Sequence, residues 1–215
     1  MKPFETFRGI IAVLDRANID TDQIIPKQFL KSIGRTGFGE SLFYDWRFLP
    51  DGKPNPAFPL NFEQFRKASI LVVRNNFGCG SSREHAVWAI QQYGFRAVIA
   101  PRAGRGGAEI PAFADIFRTN CAKNRLLTVE LNEAEVEKVF QMVSRYRGLE
   151  ATVNLDEQRV TLHTAEEISF HFDVDASVKE HLKSGLDEIG KTLQSADAIS
   201  RFEARHNPKL FRSLP

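Results

Sequence analysis

The chain has 215 residues, 42% hydrophobic and 26% charged, the balance of an ordinary globular domain and too short for two full ones. Its 29 basic and 27 acidic residues are interspersed and leave a net charge of +2, so no basic footprint for nucleic acid is expected. No apolar run reaches the roughly 18 residues of a membrane span. The opening Met1-Lys2-Pro3-Phe4-Glu5 has no signal-peptide core, so a cytoplasmic location without a membrane partner is expected.

Arg8 to Leu14 is rich in branched residues and reads as a strand. Asp20-Thr21-Asp22 then offers turn and N-cap chemistry ahead of Ile24-Ile25-Pro26. Residues 32–60 are dense in glycine, proline and aromatics and read as a long irregular loop. Ser69 to Val73 is a buried strand, and Asn75 to Gly80 a turn. Ser82 to Tyr93 has helical periodicity and stops at Gly94, and Ala97 to Ala100 is the next strand. Strand, glycine turn, helix and strand make a βαβ unit with parallel strands. Arg102 to Gly107 reads as a flexible basic loop.

Phe113 to Asn124 is a helix, Leu126 to Val129 a strand, and Asn132 to Tyr146 a helix with Asn132 as its N-cap. Three strands follow, near Ala151 to Leu155, Arg159 to Thr164 and Ile168 to Phe172. Val178 to Leu182, Leu186 to Ser195 and Ala196 to Ala204 suggest C-terminal helices. The pattern is that of a mixed α/β domain.

Chemistry concentrates in Asn76-Phe77-Gly78-Cys79-Gly80-Ser81-Ser82-Arg83-Glu84-His85-Ala86. The glycines permit a tight turn with uncovered amides, and a helix start adds the positive end of its dipole. Two hydroxyls and an arginine fork complete an anion site in which a serine ionises more readily than in water. Other readings stay open at this level. Ser81 with Glu84 fits a capping box. A nucleotide P-loop lacks its lysine, and a dinucleotide fingerprint lacks its third glycine, with Arg83 in its place.

Gly78 to Ala86 resembles the YGxGSSREHA signature of the aconitase swivelling domain. Further stretches resemble the small subunits of bacterial isopropylmalate isomerases. They are Asp20 to Pro26, Arg35 to Gly39 with Asp45-Trp46-Arg47, Phe113 to Phe117 with Asn120-Cys121, and Gly185 to Gly190 with Thr192-Leu193. The resemblance implies a single three-layer β/β/α swivelling domain over 1–215, with a parallel βαβ core and a helical extension from about residue 176. It implies a hydro-lyase interconverting 2- and 3-isopropylmalate through isopropylmaleate, in leucine biosynthesis. Ser81 is then the catalytic base, and Ser82 and Arg83 contact a carboxylate of a small dicarboxylate substrate.

Arg35 is a candidate second anion contact in that scheme, and Thr36 and Phe38 are candidates for specificity toward the isopropyl group. The implied partner is a large subunit with a [4Fe–4S] cluster, in a heterodimer or a pair of them. This chain is expected to hold no metal: its two cysteines are too few for such a cluster, and its histidines show no ligand spacing. Asp20 and Asp22 are expected to form a turn, with positioning of the active-site loop as the alternative; Cys121 is expected to be core, Cys79 a small buried side chain, and His85 to orient its neighbours. Against the family pattern, about ten residues are inserted at 102–111, and Ala112 stands where a serine is expected. A relative acting on another alkylmalate or a homoaconitate-like acid, or a stand-alone anion-binding module, remains as an alternative.

Overall fold

The computed structural model describes residues 3–31, 34–105, 108–185 and 188–206. The chain runs β1 (Phe7–Leu14), α1 (Thr21–Ile24), α2 (Tyr44–Arg47), β2 (Ala68–Val73), α3 (Glu84–Tyr93), β3 (Ala97–Arg105) and β4 (Ala108–Ile110). It continues through α4 (Asp115–Asn124), β5 (Leu127–Asn132), α5 (Glu133–Arg145), β6 (Glu150–Asn154), β7 (Arg159–Leu162), β8 (Ile168–His171), α6 (Ala176–Ser184), α7 (Glu188–Leu193) and α8 (Ala196–Arg205). Among the described residues these strands form one mixed sheet.

β1, β2, β3 and β5 are parallel neighbours, with Val13 opposite Val72, Val72 opposite Ile99, and Ile99 opposite Val129. Their long loops and crossover helices are what parallel pairing requires. Val72, Ile99 and Val129 are fully buried, which explains why these strands read as continuous apolar runs rather than alternating ones. On its other edge β1 turns antiparallel to β6, with Phe7 opposite Val153, and β7 and β8 follow as a meander. The mixed α/β class, the parallel βαβ unit and the C-terminal helices therefore agree with the sequence reading.

Local chemistry sets several boundaries. Asp20 and Gln23 form a reciprocal capping box on α1, and Asn132 and Glu135 do the same on α5. Gly94 ends α3 at φ +124°, where a side chain would be strained. The 34–61 region is more ordered than a loop reading implies. It contains 3₁₀ turns at Gly39–Ser41 and Pro59–Asn61 around α2. Arg47 fastens it by donating to the Leu42 carbonyl at 3.0 Å and lying 4.8 Å over the Tyr93 ring, and burial lowers its pKa.

Two expectations are corrected. The basic stretch after Pro101 is not a flexible loop: β3 continues to Arg105 and pairs antiparallel with β4, with Ala103 opposite Ile110. Arg102 stabilises this extension by pairing with Glu109 at 3.1 Å and Glu130 at 2.7 Å. Gly106 and Gly107 lie outside the described residues. Helix α3 starts at Glu84 rather than Ser82, because Arg83 is extended at φ −125° and ψ 106°. Leu186 and Asp187, in the proposed C-terminal helix and family stretch, and residues 207–215 of the extension also lie outside the described residues.

Candidate active site

The site loop leaves β2 at Val73 and reaches α3 at Glu84. Three of its residues have positive φ: Asn76 at 57°, Gly78 at 75° and Gly80 at 89°. At Gly78 a Cβ would also fall 2.2 Å from Phe117 Cγ, so only glycine allows α4 to approach this closely.

Backbone hydrogen bonds hold the loop from both sides. On one side Gly78 N–H donates to the Ile19 carbonyl at 2.8 Å, and Thr21 N–H donates to the Cys79 carbonyl at 2.9 Å. On the other, Asn76 N–H donates to Pro111 at 2.8 Å, Phe77 N–H to Ala112 at 3.0 Å, and Ala114 N–H to Phe77 at 3.0 Å. The return leg of the β3–β4 hairpin thus runs directly into the site's support. Ala112, at the position where a serine is expected, is fully buried and contributes backbone.

Ser81, Ser82 and Arg83 come together in a cleft of about 260 Å³, shared with Thr21, Gly80 and the start of α4. Both serines are exposed, and among the described residues no hydrogen bond engages either hydroxyl. Ser81 does not cap α3. Its carbonyl accepts a hydrogen bond from Thr21 Oγ1 at 2.9 Å, and the Glu84 carboxylate accepts one from Asn124 Nδ2 at 2.7 Å. The Glu84 carboxylate is thus engaged elsewhere, the Ser81 hydroxyl caps no helix amide, and the serines lie ahead of the helix.

Arg83 is 13% exposed in its side chain and donates through Nη1 to Asp22 Oδ1. Asp22 Oδ2 lies 3.9 Å from Lys27 Nζ. Ile116, 54% exposed on the first turn of α4, gives the cleft an apolar wall.

The other predicted contacts sit along α3, outside the cleft lining. Phe38 is only 2% exposed and packs on His85 and Trp88 at 5.3 and 5.8 Å between ring centroids. Arg35 and Thr36 are exposed, with the Arg35 guanidinium 5.5 Å over Trp88 and its carbonyl accepting from Gln92 Nε2 at 2.7 Å. Trp88 Nε1 donates to Asn124 Oδ1 at 2.9 Å, so buried Asn124 joins the start and middle of α3 to the end of α4. Sequence reading missed Asn124 and Ile116, and gave Asp22 a turn, with positioning of the active-site loop as the alternative.

A larger groove of about 1090 Å³ runs between α4, β5 and α6, but none of the sequence-predicted residues lines it. The smaller cleft is the candidate because it collects two hydroxyls and a guanidinium. A [4Fe–4S] cluster does not fit this chain's residues. The chain has two cysteines, Cys79 on the site loop and Cys121 buried in α4, and among the described residues no three His, Cys, Asp or Glu side chains are grouped to hold a metal.

The family model of the aconitase C-terminal domain matches residues 1–134, and the model of the C-terminal domain of 3-isopropylmalate dehydratase small subunits matches residues 188–213. The 3-isopropylmalate dehydratase small subunit of Desulforapulum autotrophicum is 53% identical over 205 residues, 95% of this chain and 96% of that one. Its counterpart in Leptospira interrogans is 52% identical over 207 residues, 95% of each chain. The crystal structure of 3-isopropylmalate dehydratase (leuD) from Methanocaldococcus jannaschii superposes with a TM-score of 0.62 at 23% identity, covering 91% of this chain and 98% of that one, which shows a shared fold. The glycine-turned loop, the exposed serine pair and these near-full-length relatives together place the chain in the family of 3-isopropylmalate dehydratase small subunits, built on the aconitase C-terminal domain.

Proposed function

We propose that this chain supplies the proton-abstracting half of a split active site that interconverts 2-isopropylmalate and 3-isopropylmalate through isopropylmaleate, in leucine biosynthesis. The observation that carries this reading is the exposed Ser81 hydroxyl beside Arg83 in one cleft, in a chain of this family. In the proposed step Ser81 Oγ, as its alkoxide, takes the proton from carbon. The electron pair left behind closes the carbon–carbon double bond, and the hydroxyl on the neighbouring carbon departs as hydroxide, which takes a proton from solvent to become water. Arg83 binds a substrate carboxylate and stabilises the negative charge that grows as the C–H bond breaks, and Ser82 adds a hydrogen bond.

Ser81 needs such a field because a serine in water holds its proton at neutral pH. Arg35 and Thr36, exposed on the loop against α3, are proposed as further substrate contacts, and Phe38 as the buried ring that seats His85 and Trp88. The partner is a large subunit bearing the [4Fe–4S] cluster, in a heterodimer or a pair of them. The chain itself forms a single swivelling domain over 1–215, with its helical extension from about residue 176, working in the cytoplasm. Among the described residues no helix is long and apolar enough to cross a membrane.

The test is to combine the chain with its large subunit and follow isopropylmaleate hydration. Ser81→Ala is expected to lower kcat by about a thousandfold with assembly intact. Full activity in that variant removes Ser81 as the base, and activity of this chain alone ends the split-site reading. Methylmaleate run in parallel examines a second substrate, a reading favoured by the hairpin at Pro111 that supports the site loop.

A further inference from the structure

Three consecutive residues at the start of α1 grip alternate residues of the site loop. Asp20 forms a parallel bridge with Cys79, Thr21 Oγ1 donates to the Ser81 carbonyl at 2.9 Å, and the Asp22 carboxylate takes the Arg83 guanidinium. The Asp20–Gln23 capping box fixes this single turn without using Asp22. Asp22 is therefore left to act on Arg83.

The contact is selective within the guanidinium. Asp22 engages Nη1, and among the described residues Nε and Nη2 have no partner. Those two nitrogens form the side edge of the planar fork, whose parallel N–H groups match the two oxygens of a carboxylate. The side chain is largely buried, so the held edge decides where the open edge points. Lys27, 3.9 Å from the second Asp22 oxygen, offsets part of the negative charge that an incoming carboxylate would meet.

We propose that Asp22 is a positioning residue for the reaction, holding Nη1 of Arg83 so that its Nε–Nη2 edge stays open toward the substrate carboxylate. The inference rests on the reading of Ser81 and Arg83 given above. It follows that Asp22 acts only through Arg83, and that its removal weakens substrate binding more than turnover.

The test uses the complex of the full-length chain with its large subunit. Asp22→Asn keeps the size and removes the charge, and raises KM for isopropylmaleate about tenfold or more, with a smaller loss in kcat. Asp22→Glu restores most of that loss. In an Arg83→Lys background, which lacks the planar fork, Asp22→Asn changes KM by less than about twofold, because the two residues act as a unit. Multiplicative losses in the double variant, or an unchanged KM in Asp22→Asn, overturn the proposal. Equal losses in the Asn and Glu variants with a lowered Tm make Asp22 a folding residue and overturn it too. Binding of 2-isopropylmalate to the Ser81→Ala complex, followed by calorimetry, separates the two readings. An active Ser81→Ala complex removes the base assignment, whereas an inactive one whose affinity is unmoved by Asp22→Asn removes Asp22 alone.

Discussion

Cys79 lies between the two glycines of the site loop, directly before Gly80 and the serine pair. Partial burial, and then the nearby Asp20 carboxylate, push its thiol above the ordinary range, because both disfavour the thiolate. Cys121 is fully buried on α4 and is pushed well up by burial alone. The reactive thiolate is therefore scarce in the native chain at neutral pH. Iodoacetamide labelling of Cys79 is expected to reach half its maximal rate at a higher pH than a free thiol does, and in urea both cysteines should label with the ordinary profile. Half-maximal native labelling at the free-thiol pH would contradict this. Linkage to stability follows from the unfolded chain ionising first. As pH rises past the ordinary thiol pKa, the unfolded state loses these protons while the fold retains them, so the fold loses stability there and is least penalised below that pKa.

At this scale the sequence announced what backbone chemistry alone determines. Gly78 and Gly80 read as turn residues and do have positive φ. Cys121 read as core and is fully buried. The pairs Asp22–Arg83 and Thr21–Ser81 escaped, because they join positions about sixty residues apart that no local periodicity connects. The start of α3 was misplaced for the same reason: Thr21 and Asn124, both distant in sequence, hold the Ser81 carbonyl and the Glu84 carboxylate, and no serine hydroxyl caps the helix.

Among elements, α3 and α4 matter most for the cleft, since both begin at its edge. Asn124 is 8% exposed and satisfies Trp88 and Glu84 together. Asn124→Leu leaves half-buried Trp88 without its acceptor and exposed Glu84 without its donor, and is expected to cost about 2 kcal/mol. For a chain of this size that lowers Tm by about 6 °C in a calorimetric scan, with activity falling as the start of α3 loses its tie to the end of α4. An unchanged Tm would show that water replaces the amide at no cost.

The α5 cap was legible because Asn132 and Glu135 are local partners. The β3–β4 hairpin was not, because its glycines and arginines have a loop's composition. Its order comes from Arg102 reaching Glu130, 28 positions away, on a neighbouring strand.

At the scale of the whole molecule, the buried core among the described residues ends at Leu182. Beyond it, Ile189, Leu193, Ile199 and Phe202 are between 38% and 71% exposed. Ile199→Ser and Phe202→Ser should each change the stability of the isolated chain by less than about 0.5 kcal/mol in urea unfolding, since neither joins the buried core and the Phe202 ring stacks on exposed His206 at the end of its own helix. A loss of more than about 1 kcal/mol would mean that α8 is packed in solution.

Strand β1 is where the parallel and antiparallel halves meet. It pairs with β2 on one edge and β6 on the other, and Phe7 finds its partner only at Val153. During synthesis the parallel half can assemble while that second edge still shows unpaired amides and carbonyls to other nascent chains. Closure waits for the last third of the polypeptide to leave the ribosome. The residues after 134 therefore protect the unfinished domain from edge-to-edge association, and a chain interrupted before Asn154 leaves that edge bare.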